Sequence, residues 1–340
     1  MAARVMTGLA AAVCAAAVSA PAAVADPEPG GLPAPADLVG VGVDTTQWFM
    51  TQTSTDYNAS IPPVQRRLYG FDATGSSPIV PKTGAPVPIA RPDGTRPGAV
   101  ALAATTTASL DYSRASRGPE AGDPPGLSFV GFAKDAVTWA ARSGGNAPAD
   151  LTATQLRNIY ECTSTTWSQI NPAWPNTTIR PYLPPPASDT RAAFLKALGG
   201  GVTPVAPGGC VTSGPRNDRG TDPALNDPDV VFPYSVGRYV DQVYRGHATS
   251  LENPGTLTVR SINGIAPVGA GNSISGTFHA TLFGRILRNV VRTSEYTSAN
   301  AHGAALLGVF GPSGFICQHP ATIVAQGFVP IPNCSFVVTT

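Results

Sequence analysis

Leu38-Val39-Gly40-Val41-Gly42-Val43-Asp44-Thr45-Thr46-Gln47 is the stretch on which the reading of this chain turns. Its first half is a short apolar strand threaded with glycines. Asp44 followed three residues later by Gln47 has the spacing of a capping box, so the strand runs through a tight turn into a helix N-terminus. Working outward, Arg91–Gly98 is a Gly-rich turn before the apolar run Ala99–Ala104, which reads as a helix. Leu127–Val130 and Ala136–Ala141 read as extended chain, Asp150–Tyr160 as a helix and Thr177–Leu183 as a strand. Ser188 caps a helix over Asp189–Leu198, which stops at Gly199-Gly200-Gly201. Residues 200–230 read as a Gly/Pro/Asp-rich loop. Phe278–Val291 reads as a helix, because Leu282, Ile286 and Val290 stand four apart. Strands alternating with helices, without an internal repeat, predict an α/β fold.

Composition narrows the function. Among 340 residues, 22 Lys+Arg face 21 Asp+Glu, and charged residues make up 13%. That balance excludes broad electrostatic binding to nucleic acid. Lys82, Lys134 and Lys196 are the only lysines, too few for a polybasic membrane patch. The chain is loop-rich, with 36 glycines and 35 prolines, but its 42% hydrophobic residues can build a core.

Residues 1–25 have one charge at Arg4, an apolar run from Met6 to Val18, and Ala23-Val24-Ala25 before Asp26. This is the pattern of a cleaved secretory signal; the apolar run is too short for a membrane anchor. Lipidation at Cys14 is disfavoured, because Ala11-Ala12-Val13 lacks the expected residues before a lipidated cysteine. Residues 26–37 form a Pro-rich lead-in, flexible or extended. Cleavage leaves Cys162, Cys210, Cys317 and Cys334, an even count suited to structural disulfides, with three possible pairings.

Four hydroxyl-rich turns stand near helix starts: Asp44-Thr45-Thr46, Gly94-Thr95, Ser113–Arg117 and Ser188-Asp189-Thr190-Arg191. Unpaired N–H groups and the positive dipole end attract an anion there, and hydroxyls can turn toward the same oxygen. Each Ser or Thr could equally do no more than cap its own helix. Catalytic readings find little support. There is no G-x-S-x-G elbow, no Walker-type glycine-lysine loop and no HExxH; His247, His279, His302 and His319 are isolated. No metal, cofactor or enzymatic activity is expected.

In order and spacing, these stretches resemble the periplasmic phosphate-binding proteins of ABC transporters, in particular a secreted actinobacterial-type branch. Gly40–Gln47 resembles the first ligand loop of that family, and Arg91–Thr95 with its Ala-rich helix the second. Ser116-Arg117 falls where the family has Ser-Asp, and Ser188-Asp189-Thr190-Arg191 where it has Ser-Gly-Thr. Leu151-Thr152, Gln155-Leu156, Ile159-Tyr160 and Trp167 match a helix signature of the second lobe, and Ile262–Pro267 a segment of the return to the first. The resemblance covers residues 38–335 and implies a bilobal periplasmic-binding-protein type 2 fold with ligand between the lobes. The first lobe is then 38–125 plus 240–340 and the second 126–239, with crossings near Leu127–Phe132 and Val230–Tyr239. Pairing Cys162–Cys210 and Cys317–Cys334 keeps each disulfide within one lobe. The implied ligand set is Asp44, Thr45, Thr46, Thr95, Ser116, Arg117, Ser188, Asp189, Thr190 and Arg191.

Three departures bear on the ligand. Arg117 replaces the carboxylate that accepts the proton of phosphate, Pro184 replaces an arginine, and Asp189 stands at a glycine position. Arg117 or Arg191 could restore the positive charge, and Asp44 or Asp189 the acceptor. The expected function is capture of phosphate or a related oxyanion by a secreted monomer serving a membrane permease. The alternatives are a secreted binding module with a larger phosphorylated or carboxylated ligand, and a phosphatase-like hydrolase, for which no nucleophile–base pair is visible.

Overall fold

A computed structural model describes residues 27, 29–62 and 64–340; the signal sequence read at 1–25, with Cys14, lies outside them. One curled sheet runs through both lobes, in the order Leu68–Gly70, Leu38–Gly42, Tyr112–Ala115, Gly284–Arg292, Leu127–Arg142, Val230–Ser235, Arg180–Leu183 and Thr212–Ser213. Leu38–Gly42 pairs in parallel with both of its neighbours, as expected of strand–helix–strand units. Its five residues are all buried, so the strand reads as a continuous apolar run rather than an alternation.

The 16-residue strand Leu127–Arg142 joins the lobes. Its first half pairs antiparallel with Gly284–Arg292, and with Val337–Thr339 and Val329–Pro330. Its second half pairs with Val230–Ser235 and Leu257–Val259. Val230–Ser235 is therefore a strand of the second lobe, and we place the return crossing at Phe283–Arg288 rather than at Val230–Tyr239. The core clusters divide the same way. Trp139, Leu156, Tyr160, Trp167, Phe194, Val240, Phe278 and Phe283 pack together in the second lobe. In the first lobe Phe49, Met50, Leu287, Leu306 and Phe310 cover one face of the sheet, and Val41, Leu102, Phe129 and Val290 the other.

Local chemistry explains most of the helices. Asp189–Leu198 forms as read, with the Ser188 hydroxyl accepting the Arg191 N–H at 3.3 Å. Ala153–Tyr160 is shorter than its sequence reading because Asp150–Leu151 pairs with Ser261–Ile262, and Thr152 with Gln155 forms the capping box. The box expected at Asp44 does not form. Helix Gln47–Ser60 starts after Thr46 without a side-chain cap, and Gln47 instead bonds Ala73 N and Glu252. The helix expected over Phe278–Val291 is a single turn, Gly276–His279, followed by strand Gly284–Arg292. The lead-in is held on the first lobe: Thr83 N–H donates to Pro33 O at 2.8 Å, and Arg66 to Ala36 O at 2.6 Å. Cys162–Cys210 and Cys317–Cys334 are the disulfides.

Candidate functional site

Helix Thr95–Ala104 points its N-terminus across the interlobe cleft at the start of helix Asp189–Leu198. The approach depends on Gly94, at φ +109°, where a Cβ would stand 3.0 Å from Ala187 O. From the second lobe Asp189 extends its carboxylate into this helix end. Thr95 N–H donates to Asp189 Oδ2 at 2.9 Å, Ser116 Oγ donates to it at 3.2 Å, and Thr95 Oγ1 forms a third bond to it. Ser116 N–H in turn donates to Thr95 Oγ1 at 3.0 Å, which orients the hydroxyl. A single carboxylate oxygen thus takes three donors at a helix N-terminus, the arrangement that suits an oxyanion.

The positive charge here comes from Arg285, a residue outside the motif-based ligand set. Its guanidinium donates to Ser116 Oγ at 3.3 Å and Thr190 Oγ1 at 3.4 Å, linking hydroxyls of both lobes. Asp135 holds it from behind, with Nε–Oδ2 at 2.8 Å, and is itself bonded by the Ser235 hydroxyl at 3.0 Å and Gly237 N–H at 2.9 Å. Burial raises the Asp189 carboxyl above the usual carboxylate range, against the lowering effect of Thr95, Arg285 and Arg117.

Thr95, Ser116, Asp189 and Thr190 are therefore brought together. Ser188 lies beside them as a cap, its hydroxyl also donating to Asn217 Oδ1 at 3.0 Å. Asp44 is engaged across the cleft by Asn217 at 2.8 Å and Arg216 at 3.2 Å, and Arg216 also bonds Asp93 at 2.9 Å. Thr45 and Thr46 are buried, with no hydrogen-bond partner for either hydroxyl among the described residues. The two arginines expected to compensate do not join the cluster. Arg117 makes a two-bond pair with Asp123 at 2.6 and 2.8 Å, and Arg191 bonds Pro184 O and Ser213. Arg285 escaped sequence reading because it lies far from the hydroxyl-rich turns, in a segment read as a helix. Its one sequence signal was a charge within an otherwise apolar run.

A groove of about 840 Å³ opens from Ser116, Asp189 and Arg285 along Ala193, Leu282 and Ile286 to Arg288. Arg288 packs its guanidinium over the Phe336 ring at 5.1 Å and donates to Ile286 O. Among the described residues it makes no ion pair with a carboxylate, and burial pushes its pKa down to about 10. No group of metal-ligating side chains occurs among the described residues.

Residues 97–263 match the family model described as a PBP superfamily domain. The phosphate-binding protein PstS of Staphylococcus saprophyticus is 32% identical over 97 residues, 26% of this chain and 30% of that protein's length. Among solved structures, an ABC-type phosphate transport receptor from Vibrio cholerae superposes with a TM-score of 0.59 at 14% identity, over 87% of this chain and 100% of its own. A putative phosphate ABC transporter substrate-binding protein from Clostridium perfringens gives 0.56 at 13%, over 87% and 99%. Residues 97–263 are thus similar to a PBP superfamily domain, and over most of its length the chain has the bilobal type 2 fold.

Proposed function

We propose that this chain is an extracytoplasmic solute receptor that captures phosphate or a related oxyanion between its lobes and delivers it to a membrane permease. The observation that carries this reading is the convergence of Thr95 N–H, Thr95 Oγ1, Ser116 Oγ and Arg285 around a carboxylate oxygen, with Thr190 Oγ1 on the same guanidinium. The Thr95 and Ser116 donors already bind a carboxylate oxygen, that of Asp189, with Arg285 behind them. Most are neutral donors, which bind a buried anion by charge–dipole bonds, without a set of equal counter-charges. The names of the similar proteins support phosphate, and two disulfides support an oxidising compartment. Export through residues 1–25, with a free rather than lipidated mature chain, and membership of an actinobacterial-type branch rest on the sequence motifs alone.

Isothermal titration of residues 26–340 with phosphate, arsenate and sulfate at pH 7.5, after removal of carried-over ligand, tests the reading. Binding of phosphate and arsenate over sulfate is expected, because Asp44, set across the cleft by Asn217 and Arg216, accepts a P–OH or As–OH proton and repels unprotonated sulfate. No heat with any of the three sinks the oxyanion assignment. A second reading, a larger organic anion, is favoured by one specific feature, the groove ending at Arg288 without a carboxylate partner. Binding of phosphomonoesters in place of inorganic phosphate would select it.

A further inference from the structure

We propose that Asp189 is a built-in competitor for the oxyanion cage: its carboxylate occupies the donors an incoming anion needs, and solute binds by displacing it. The inference rests on the oxyanion reading above and adds how that site is regulated. Three facts of geometry carry it. Asp189 Oδ2 takes Thr95 N–H, Thr95 Oγ1 and Ser116 Oγ, so the helix N-terminus and both hydroxyls are already engaged. The carboxylate comes from the second lobe and its donors from the first, so the contact also ties the lobes together. Third, Asp189 is the first residue of its own helix, where a backbone with no side chain would leave the same Ser188 and Thr190 contacts intact.

An anion entering the cage must break three bonds to a charged acceptor and sit beside a like charge, and each such bond is worth well over an uncharged one. Arg285 on the return strand and Arg117 after Ser116 favour the carboxylate form of Asp189, while Asp93 ahead of Thr95 opposes it. Burial outweighs the favourable set and raises its pKa, so acidification neutralises Asp189 before an ordinary carboxylate and frees the cage.

The test uses residues 26–340 as wild type, Asp189→Gly and Asp189→Asn, titrated with inorganic phosphate at pH 7.5 and pH 5.5. Asp189→Asn keeps the side-chain volume and guards against a folding defect in the glycine variant. Phosphate is expected to bind Asp189→Gly at least tenfold more tightly than wild type at pH 7.5, with a smaller gap at pH 5.5. Equal affinity, or tighter binding by wild type, overturns the proposal and leaves the oxyanion reading standing. In parallel, the Thr95 amide resonance is followed against pH without added ligand. It should titrate in wild type and stay flat in Asp189→Asn; a flat wild-type trace also overturns the proposal. If no variant binds phosphate while the wild-type Thr95 signal titrates, the occupied cage stands and the oxyanion reading falls.

Discussion

Two arginines on neighbouring strands of the sheet, one just past the end of Tyr112–Ala115 and one within Gly284–Arg292, show how much a single partner decides. Arg117 and Arg285 carry the same group, but Arg117 is taken up by Asp123 and Glu120 beside it in sequence. Arg285 is braced by Asp135, which is 150 residues away and fixes the guanidinium toward Ser116 and Thr190. Arg285→Gln is expected to weaken phosphate binding about tenfold or more, since a charged hydrogen-bond donor contributes about 1.5–3 kcal/mol. Arg117→Ala should leave affinity within about twofold. Titration of the two variants beside wild type checks both, and the reverse order would move the cage toward Arg117. Sequence reading could find Thr95, Ser116 and Thr190, whose hydroxyls sit on local turns. It could not choose between arginines, because the choice is made by a buried carboxylate on another strand.

At the scale of elements, helix Asp189–Leu198 was legible to the residue, since its cap and its glycine stop are local chemistry. Gly284–Arg292 was not. Leu282, Ile286 and Val290 stand four apart, which fits a helical face, but four is also an even spacing and keeps residues on one side of a strand. The alternation that would have revealed the strand is erased because Leu287, Val290 and Val291 are all buried, on both faces. Gly284 marks the break between the short helix and the strand: a Cβ there would stand 1.9 Å from the backbone oxygen of His279. A backbone atom cannot swing aside, so Gly284→Ala is expected to destabilise the fold by about 1–3 kcal/mol. Urea unfolding at constant m-value measures it; an unchanged midpoint would mean that the turn relaxes freely.

Across the whole molecule, buried titratable groups set the pH response. Burial lowers the His279 pKa below 6.5, so its neutral form is favoured in the fold; stability is full above pH 6.5 and is lost as pH falls through the folded value. Burial raises Asp189 and Asp218, whose penalty is present above their folded pKa and relieved as pH falls through it. Asp123, paired with Arg117, is lowered and protects the fold until pH falls below the ordinary carboxylate range. His279→Gln should therefore gain on wild type in Tm between pH 7.5 and pH 5, as calorimetry at a series of pH values would register. A constant difference would remove His279 from the account. The lobes themselves are joined by strands Leu127–Arg142 and Gly284–Arg292 and bridged by contacts such as Lys196–Glu120 at 2.7 Å and Glu252–Trp48 at 2.5 Å. The sequence by itself determined the α/β alternation, the capped helix that presents Asp189 and Thr190, and the hydroxyl-rich turns, because each follows from residues within a few positions of one another. Only the tertiary structure decided that Val230–Ser235 pairs with the second half of Leu127–Arg142, which arginine reaches Ser116 and Thr190, and that Asp189 takes up the Thr95 and Ser116 donors. Those outcomes depend on burial and on partners as far apart as Arg285 and Asp135, 150 residues, or Arg285 and Ser116, 169 residues, and no local spacing encodes them.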